Sequence, residues 1–204
     1  MRYLAGFLIG VVLTGGAARA SDAPASDGWS LDVLMSGLRT VRAASAHFVE
    51  MKSIHMLTRP IEATGTLKYT APDKLEKITV MPSPETIRLD GGTLTGTRAN
   101  GDSFSVDIGG HSEIAGLVEG IRSTLAGDLP TLQRYYMVSF GGSRQHWQMD
   151  LVPKDRRVRD KVDCIRVAGS GITIATIDVD EKDGDKSEMT VMPDAPGTPA
   201  PAAP

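Results

Sequence analysis

Residues 48–94 read F-V-E-M-K-S-I-H-M-L-T-R-P-I-E-A-T-G-T-L-K-Y-T-A-P-D-K-L-E-K-I-T-V-M-P-S-P-E-T-I-R-L-D-G-G-T-L. Short runs of strand-forming residues are separated by turn signals at Arg59-Pro60, Ala71-Pro72-Asp73, Pro82-Ser83-Pro84 and Asp90-Gly91-Gly92. Leu67 and Tyr69 alternate with Thr66, Lys68 and Thr70. The same period of two recurs in Phe104, Val106 and Ile108, and in Trp147, Met149 and Leu151. A last hairpin joins Ile172–Val179 to Ser187–Met192 around Asp183-Gly184. Alternation with one apolar side predicts an antiparallel sheet buried on one face. One pairing resists: around Pro82-Ser83-Pro84, no register sets every apolar residue of 75–81 against an apolar residue of 85–89. A bulge or a polar inner face resolves that conflict.

The helical signals are fewer. Ser30 is placed to cap a helix carrying Leu31, Leu34, Met35, Leu38 and Val41, with Arg39 and Arg42 near its C-terminal end. A second helical stretch, 112–126, carries Ile114, Leu117, Val118, Ile121 and Leu125 and stops at Gly127. A short turn or helix follows Pro130 with Leu132 and Tyr135. Strands dominate and helices cluster, so the expected class is α+β.

The ends read differently. Arg2, the apolar run 3–13 and the small-x-small site Ala18-Arg19-Ala20 predict a secretory signal over residues 1–20, cleaved after Ala20 into the periplasm. That run is short for a membrane span. A polar leader, 21–28, and a Pro/Ala-rich tail, 194–204, flank one domain at 29–193. Loss of Arg2 and Arg19 takes the formal charge from −3 to −5. The densest basic stretch, Lys154 to Lys161, contains Asp155 and Asp160 and reads as a solvated loop. Nucleic acid is therefore not an expected partner. The single cysteine, Cys164, has no internal partner and reads as a buried inert thiol.

No catalytic or metal-binding pattern is present. His47, His55, His111 and His146 lack metal-ligand spacing. Asp178, Asp180, Asp183 and Asp185 fail the calcium-loop template, because Lys182 and Met189 occupy ligand positions. Ser143 in Gly141-Gly142-Ser143-Arg144-Gln145 makes no nucleophile elbow. The expectation is a non-enzymatic protein that needs no cofactor. If helices fill the sheet's concavity, the result is an ordinary core; if they roof it, an apolar ligand can enter. Eight methionines after Met1 suit an adaptable pocket, and equally suit plain core filling.

Several motifs, in order, resemble those of the periplasmic lipoprotein carrier family of LolA and LolB. They are Phe48-Val49-Glu50-Met51-Lys52, Gly65-Thr66-Leu67-Lys68-Tyr69, Ala71-Pro72-Asp73-Lys74-Leu75 and Leu89-Asp90-Gly91. Trp147-Gln148-Met149-Asp150-Leu151-Val152-Pro153 and the 183–191 hairpin extend the likeness. The A-P-D-K-L-E-K and P-x-P-E-T stretches look like a divergent LolA-like branch. The resemblance implies an open, strongly curved antiparallel half-barrel with a helical lid over an apolar cavity. It implies a monomeric carrier shielding lipoprotein acyl chains, or another amphipathic lipid, between an inner-membrane donor and an outer-membrane acceptor. The residues expected to line the cavity are Phe48, Leu67, Tyr69, Ile78, Val106, Leu117, Ile121 and Met149. The family's lid-latching Arg falls at Glu76 here; Lys77 and Arg88 are possible substitutes, though both read as surface residues. The alternative is a non-catalytic envelope-assembly module that binds a protein partner through a sheet edge.

Overall fold

A computed structural model describes residues 28–194 apart from His111 and the side chains of Ser112 and Glu113. The expected signal segment, its cleavage site, the leader up to Asp27 and the tail beyond Asp194 lie outside those residues. The chain begins with helix α1 (Leu31–Leu38) and six strands: β1 (Ala43–Ser53), β2 (Ile61–Thr70), β3 (Lys74–Met81), β4 (Glu85–Asp90), β5 (Thr93–Arg98) and β6 (Ser103–Asp107). A 3-10 turn (Ile108–Gly110), α2 (Ser112–Leu125) and α3 (Leu129–Tyr135) follow. Then come β7 (Tyr136–Gly142), β8 (Trp147–Pro153), α4 (Arg156–Arg159), β9 (Val162–Ser170), β10 (Thr173–Glu181) and β11 (Lys186–Pro193).

All eleven strands form one curved, unclosed antiparallel sheet in the order β6-β5-β4-β3-β2-β1-β11-β10-β9-β8-β7. This is the α+β half-barrel that the sequence predicts. Two meanders are joined through the pairing of β1 with β11. The two edges, β6 and β7, are consecutive in sequence, so the segment between them must travel from one edge of the sheet to the other. That segment carries α2 and α3.

The local reasons are conventional. The Ser30 hydroxyl accepts from the Val33 N–H at 3.3 Å and starts α1. The helix ends at Leu38 rather than running to Val41, because the Thr40 hydroxyl and N–H both donate to the Gly37 carbonyl and turn the chain into β1. Asp128 caps α3 through the Thr131 N–H, with Pro130 in its first turn. The stretch read as a solvated loop contains α4, a single turn capped by Asp155. It forms because Val158 is buried against Gly116 of α2.

Register settles the faces. Phe48 pairs with Gly65 and Val191, Leu67 with Lys77, Ile87 with Lys77 and Gly96, and Gly96 with Phe104. In the other meander, Ile177 pairs with Met189 and Val167, Val167 with Met149, and Met149 with Phe140. Opposed residues share a face, so all of these lie on one side, the inner face. The conflict around Pro82 resolves through a polar inner face, since the β3–β4 register is regular; the bulge lies in the neighbouring β2–β3 pair. Lys77 and Thr79 face inward opposite Ile87 and Glu85, and the β2–β3 register shifts between Thr64 and Gly65.

The hydrophobic core occupies only half of that face. It gathers Leu34, Met35 and Leu38 of α1 and Leu132 of α3 with Tyr136, Trp147, Met149, Leu151, Val162, Ile165 and Val167. No residue of β1–β6 belongs to it. The outer face carries cross-strand charge ladders, Lys68–Glu76–Arg88 and Arg166 with Asp150, Asp178 and Asp180. Of the acidic group that fails the calcium-loop template, Asp178 and Asp180 face Arg166, Asp180 also meets Lys186, and Asp185 pairs with His55.

Gly127 closes the helical corner. Its φ is +62°, and a Cβ there would run into the Met35 carbonyl and the Arg39 backbone of α1. Replacing Gly127 with Ala therefore lowers stability by about 2 kcal/mol or more, read as a reduced urea midpoint at unchanged slope.

Candidate functional site

The half of the inner face left outside the core is built of cross-strand rows. Tyr69 on β2 stands opposite Leu75 on β3, Leu75 opposite Leu89 on β4, Leu89 opposite Leu94 on β5, and Leu94 opposite Val106 on β6. At about 4.8 Å between strands, this row spans about 19 Å, comparable to an extended fatty-acyl chain. Tyr69 and Leu89 are buried, while Leu75, Leu94 and Val106 are half-buried. The neighbouring row runs Leu67, Lys77, Ile87, Gly96 and Phe104. Gly96 lets the Phe104 ring lie flat over β5, since any Cβ would strike that ring.

One charged group interrupts this apolar surface. Glu50 is 4% exposed and receives hydrogen bonds from Lys77 Nζ and Ser187 Oγ, both at 2.6 Å. Lys52 stands 3.7 Å away. Lys77 reaches Glu50 across β2, where the residues between are Ala63 and Gly65, and passes 4.9 Å from the Phe48 ring centre. A Cβ on Gly65 would strike the Ile78 carbonyl and Phe48. Burial alone would raise the Glu50 carboxyl, but the hydrogen bonds from Lys77 and Ser187 and the charges of Lys77 and Lys52 outweigh it and hold it below the ordinary carboxylate value. Lys77 is thus an inner-face residue with a buried partner, not the surface residue the sequence suggests. Arg88 does lie outside, on Glu76.

Two hollows adjoin this framework. One lies between α2 and strands β8–β10, bounded by Gly120, Ile121, Thr124 and Leu125 facing Leu151, Ile165, Val167, Ile174 and Ile177. Its volume is about 20 Å³, room for about one water molecule. The other, of about 350 Å³, opens at the rim between Arg39, Arg42, Tyr69, Ala71, Pro72, Ala126 and Asp128. Ligand pockets commonly hold about 300–1,000 Å³, so of these two hollows the rim hollow has ligand dimensions.

The family described as outer membrane lipoprotein carrier protein LolA-like matches residues 18–202. The chain belongs to that family. No curated protein matches it. Solved structures similar to it include a LolA superfamily protein from Nitrosomonas europaea, at 9% identity over 81% of this chain and 93% of that one, TM-score 0.44. A chain of the MucA/MucB complex of Pseudomonas aeruginosa is 10% identical over 84% of this chain and 57% of its own, TM-score 0.42. LprF from Mycobacterium bovis is 13% identical over 85% and 95%, TM-score 0.31. These likenesses are distant and carry no functional weight.

In this LolA-like chain the residues expected to line one cavity are divided. Phe48, Leu67, Tyr69 and Val106 share the inner face of the N-terminal meander. Met149 is fully buried in the core and Leu117 packs against it. Ile121 bounds the small crevice and is 40% exposed. Ile78 pairs with Thr66 and Thr86, which places it on the outer face. The methionines do not gather either: Met35 and Met149 fill the core, whereas Met56, Met81, Met137 and Met192 are exposed. Cys164 is half-buried on the outer face, opposite Asp180, with its thiol pushed up by burial and by Asp150. Among the described residues no His/Cys/Asp/Glu group is arranged to hold a metal ion. His47 and His55 are exposed and hydrogen-bonded to Asp194 and Asp185.

The residues sequence reasoning missed are Glu50 as a buried anion and Arg39 and Arg42 as walls of a hollow. The alternation of β1 puts Glu50 on the same side as Phe48, which was the available signal.

Removing the Lys77 charge tests the buried pair. Lys77→Met strands Glu50 and lowers stability by about 3 kcal/mol at neutral pH, measured by urea unfolding. In the wild type the folded-state Glu50 value lies below the unfolded one. Its contribution is therefore full above about pH 4.3 and disappears as pH falls through the folded value. The stability difference between wild type and Glu50→Gln narrows accordingly on acidification.

Proposed function

We propose that this chain is an exported, non-enzymatic carrier that shields the acyl chains of a lipoprotein or similar amphiphile in the periplasm. The observation that carries this reading is the largely apolar inner face of β2–β6, no residue of which joins the core cluster around Trp147 and Met149. A sheet face of this kind is unfavourable in water unless something apolar covers it, and each acyl CH₂ withdrawn from water contributes about 0.8 kcal/mol. Membership of the LolA-like family supports the same reading. The cover that closes over cargo is the α2–α3 crossover, which spans the two sheet edges. α2 meets its neighbours through Gly116 and Gly120 and through the buried hydroxyls of Ser123 and Thr124, which donate to carbonyls of their own helix. Leu117 of the same helix packs against the core, and Ile121 and Leu125 face β8–β10 across the small crevice.

Among the described residues no helix is long and apolar enough to cross a membrane. The proposed route runs from an inner-membrane donor to an outer-membrane acceptor, with the expected signal segment providing export.

Displacement of a fluorescent fatty-acid probe tests the reading. Leu94→Glu and Val106→Glu place a carboxylate on the half-buried row and weaken probe binding about tenfold or more, while thermal unfolding changes little. Ser139→Glu, on the outer face of β7, leaves affinity unchanged. A protein that binds no probe and brings no lipid with it on purification is not a carrier.

A further inference from the structure

The rim hollow of about 350 Å³ has its own chemistry. It opens where the end of α1, the start of β1, the end of β2 and the α2–α3 corner meet. Three charged side chains and one phenol border it. Arg39 Nη2 donates to the Gly127 carbonyl at 2.9 Å, which ties the wall of the hollow together. Asp128 is committed elsewhere. Its hydrogen bonding to Thr131, which outweighs burial, together with the charges of Arg39 and Arg122, holds its carboxyl below the ordinary value. Arg42 differs: its guanidinium has neither a carboxylate nor a carbonyl partner among the described residues. Tyr69 is 6% exposed, and its hydroxyl is buried without a hydrogen-bond partner among the described residues. Burial raises this phenol, the Arg42 charge lowers it and the Asp73 charge raises it, so both Arg42 and Asp73 lie within electrostatic reach of Tyr69.

A buried hydroxyl with no partner is costly, and a solvent-exposed guanidinium with no carboxylate on it favours an acceptor that takes hydrogen bonds from both. Carboxylate and phosphate oxygens meet that description. The same Tyr69 also begins the apolar row through Leu75, Leu89, Leu94 and Val106.

The geometry points to a headgroup site: Arg42 and Tyr69, with Arg39 alongside, hold the anionic carboxylate or phosphate of an amphiphile whose acyl chain lies along the Tyr69–Val106 row. This rests on the carrier reading above and narrows its cargo to anionic amphiphiles. The arrangement separates two tasks. The row supplies apolar contact with little direction, and the rim supplies orientation.

Isothermal titration calorimetry on the full chain, with dodecanoate, dodecyl phosphate, dodecanol and inorganic phosphate as separate probes, tests it. Dodecanoate or dodecyl phosphate binds about tenfold more tightly than dodecanol, and whichever of the two binds better identifies the headgroup. Arg42→Gln and Tyr69→Phe each reduce that preference to about twofold. Arg42 is exposed, and Phe keeps the buried ring, so neither change removes packing. Equal affinity for all three amphiphiles overturns the headgroup site and leaves the carrier standing. Binding of inorganic phosphate with no preference among the amphiphiles assigns the hollow to a free anion and also overturns it. If no amphiphile binds, the headgroup site and the carrier reading fall together.

Discussion

An antiparallel sheet of eleven strands with one apolar face presents more area than four short helices can cover. The rest of the molecule follows from that mismatch. α1 and α3 take the half built from β7–β11 and make with it a conventional core around Trp147, Met149 and Leu151. The half built from β2–β6 keeps Leu67, Leu75 and Leu94 only partly buried. Closure of the sheet into a barrel would remove the problem, but the edges β6 and β7 stay apart, and the connection between them is helical. The mouth is therefore spanned by helices rather than sealed by hydrogen bonds, which permits opening without breaking a strand ladder.

The buried Glu50–Lys77–Ser187 group is the second constraint. A carboxylate placed among apolar side chains costs stability unless it is paired, and its removal in favour of apolar residues is often neutral. Its location at the junction of the meanders, with Glu50 on β1, Ser187 on β11 and Lys77 reaching over β2, ties three strands at the centre of the sheet. A one-residue slip of β1 would send Glu50 outward and break both bonds. The group thus fixes register where the two meanders meet, the place where hairpin turns give no help. The small residues Ala63 and Gly65 are part of the same device, since larger side chains would block the crossing.

Much of the fold was legible. The alternation in 66–70, 104–108 and 147–151 and the turn signals between strands predicted an antiparallel α+β protein, and the order of motifs carried the resemblance to LolA-like carriers. Ser30 and Gly127 marked helix ends as capping chemistry requires. The candidate site was less legible. Ile78 sits in an apolar run on β3, and only the register of Thr66 with Ile78 shows that it points outward. Lys77 looked like a surface residue, because charge on a strand usually means solvent. Met149 and Leu117 carried the apolar character expected of a cavity wall, yet they belong to the solid part of the core.

Local chemistry in the chain was enough to specify strands, caps and turns, because period, branching and glycine placement act over a few residues. Which apolar residues become core and which stay available to a ligand was decided only in three dimensions, by where the β6-to-β7 crossover lays its helices. The rim hollow has the same origin. Arg39, Arg42, Tyr69 and Asp128 are separated by up to the whole N-terminal meander and α2, and only the return of the α2–α3 corner onto the end of α1 sets them around one space.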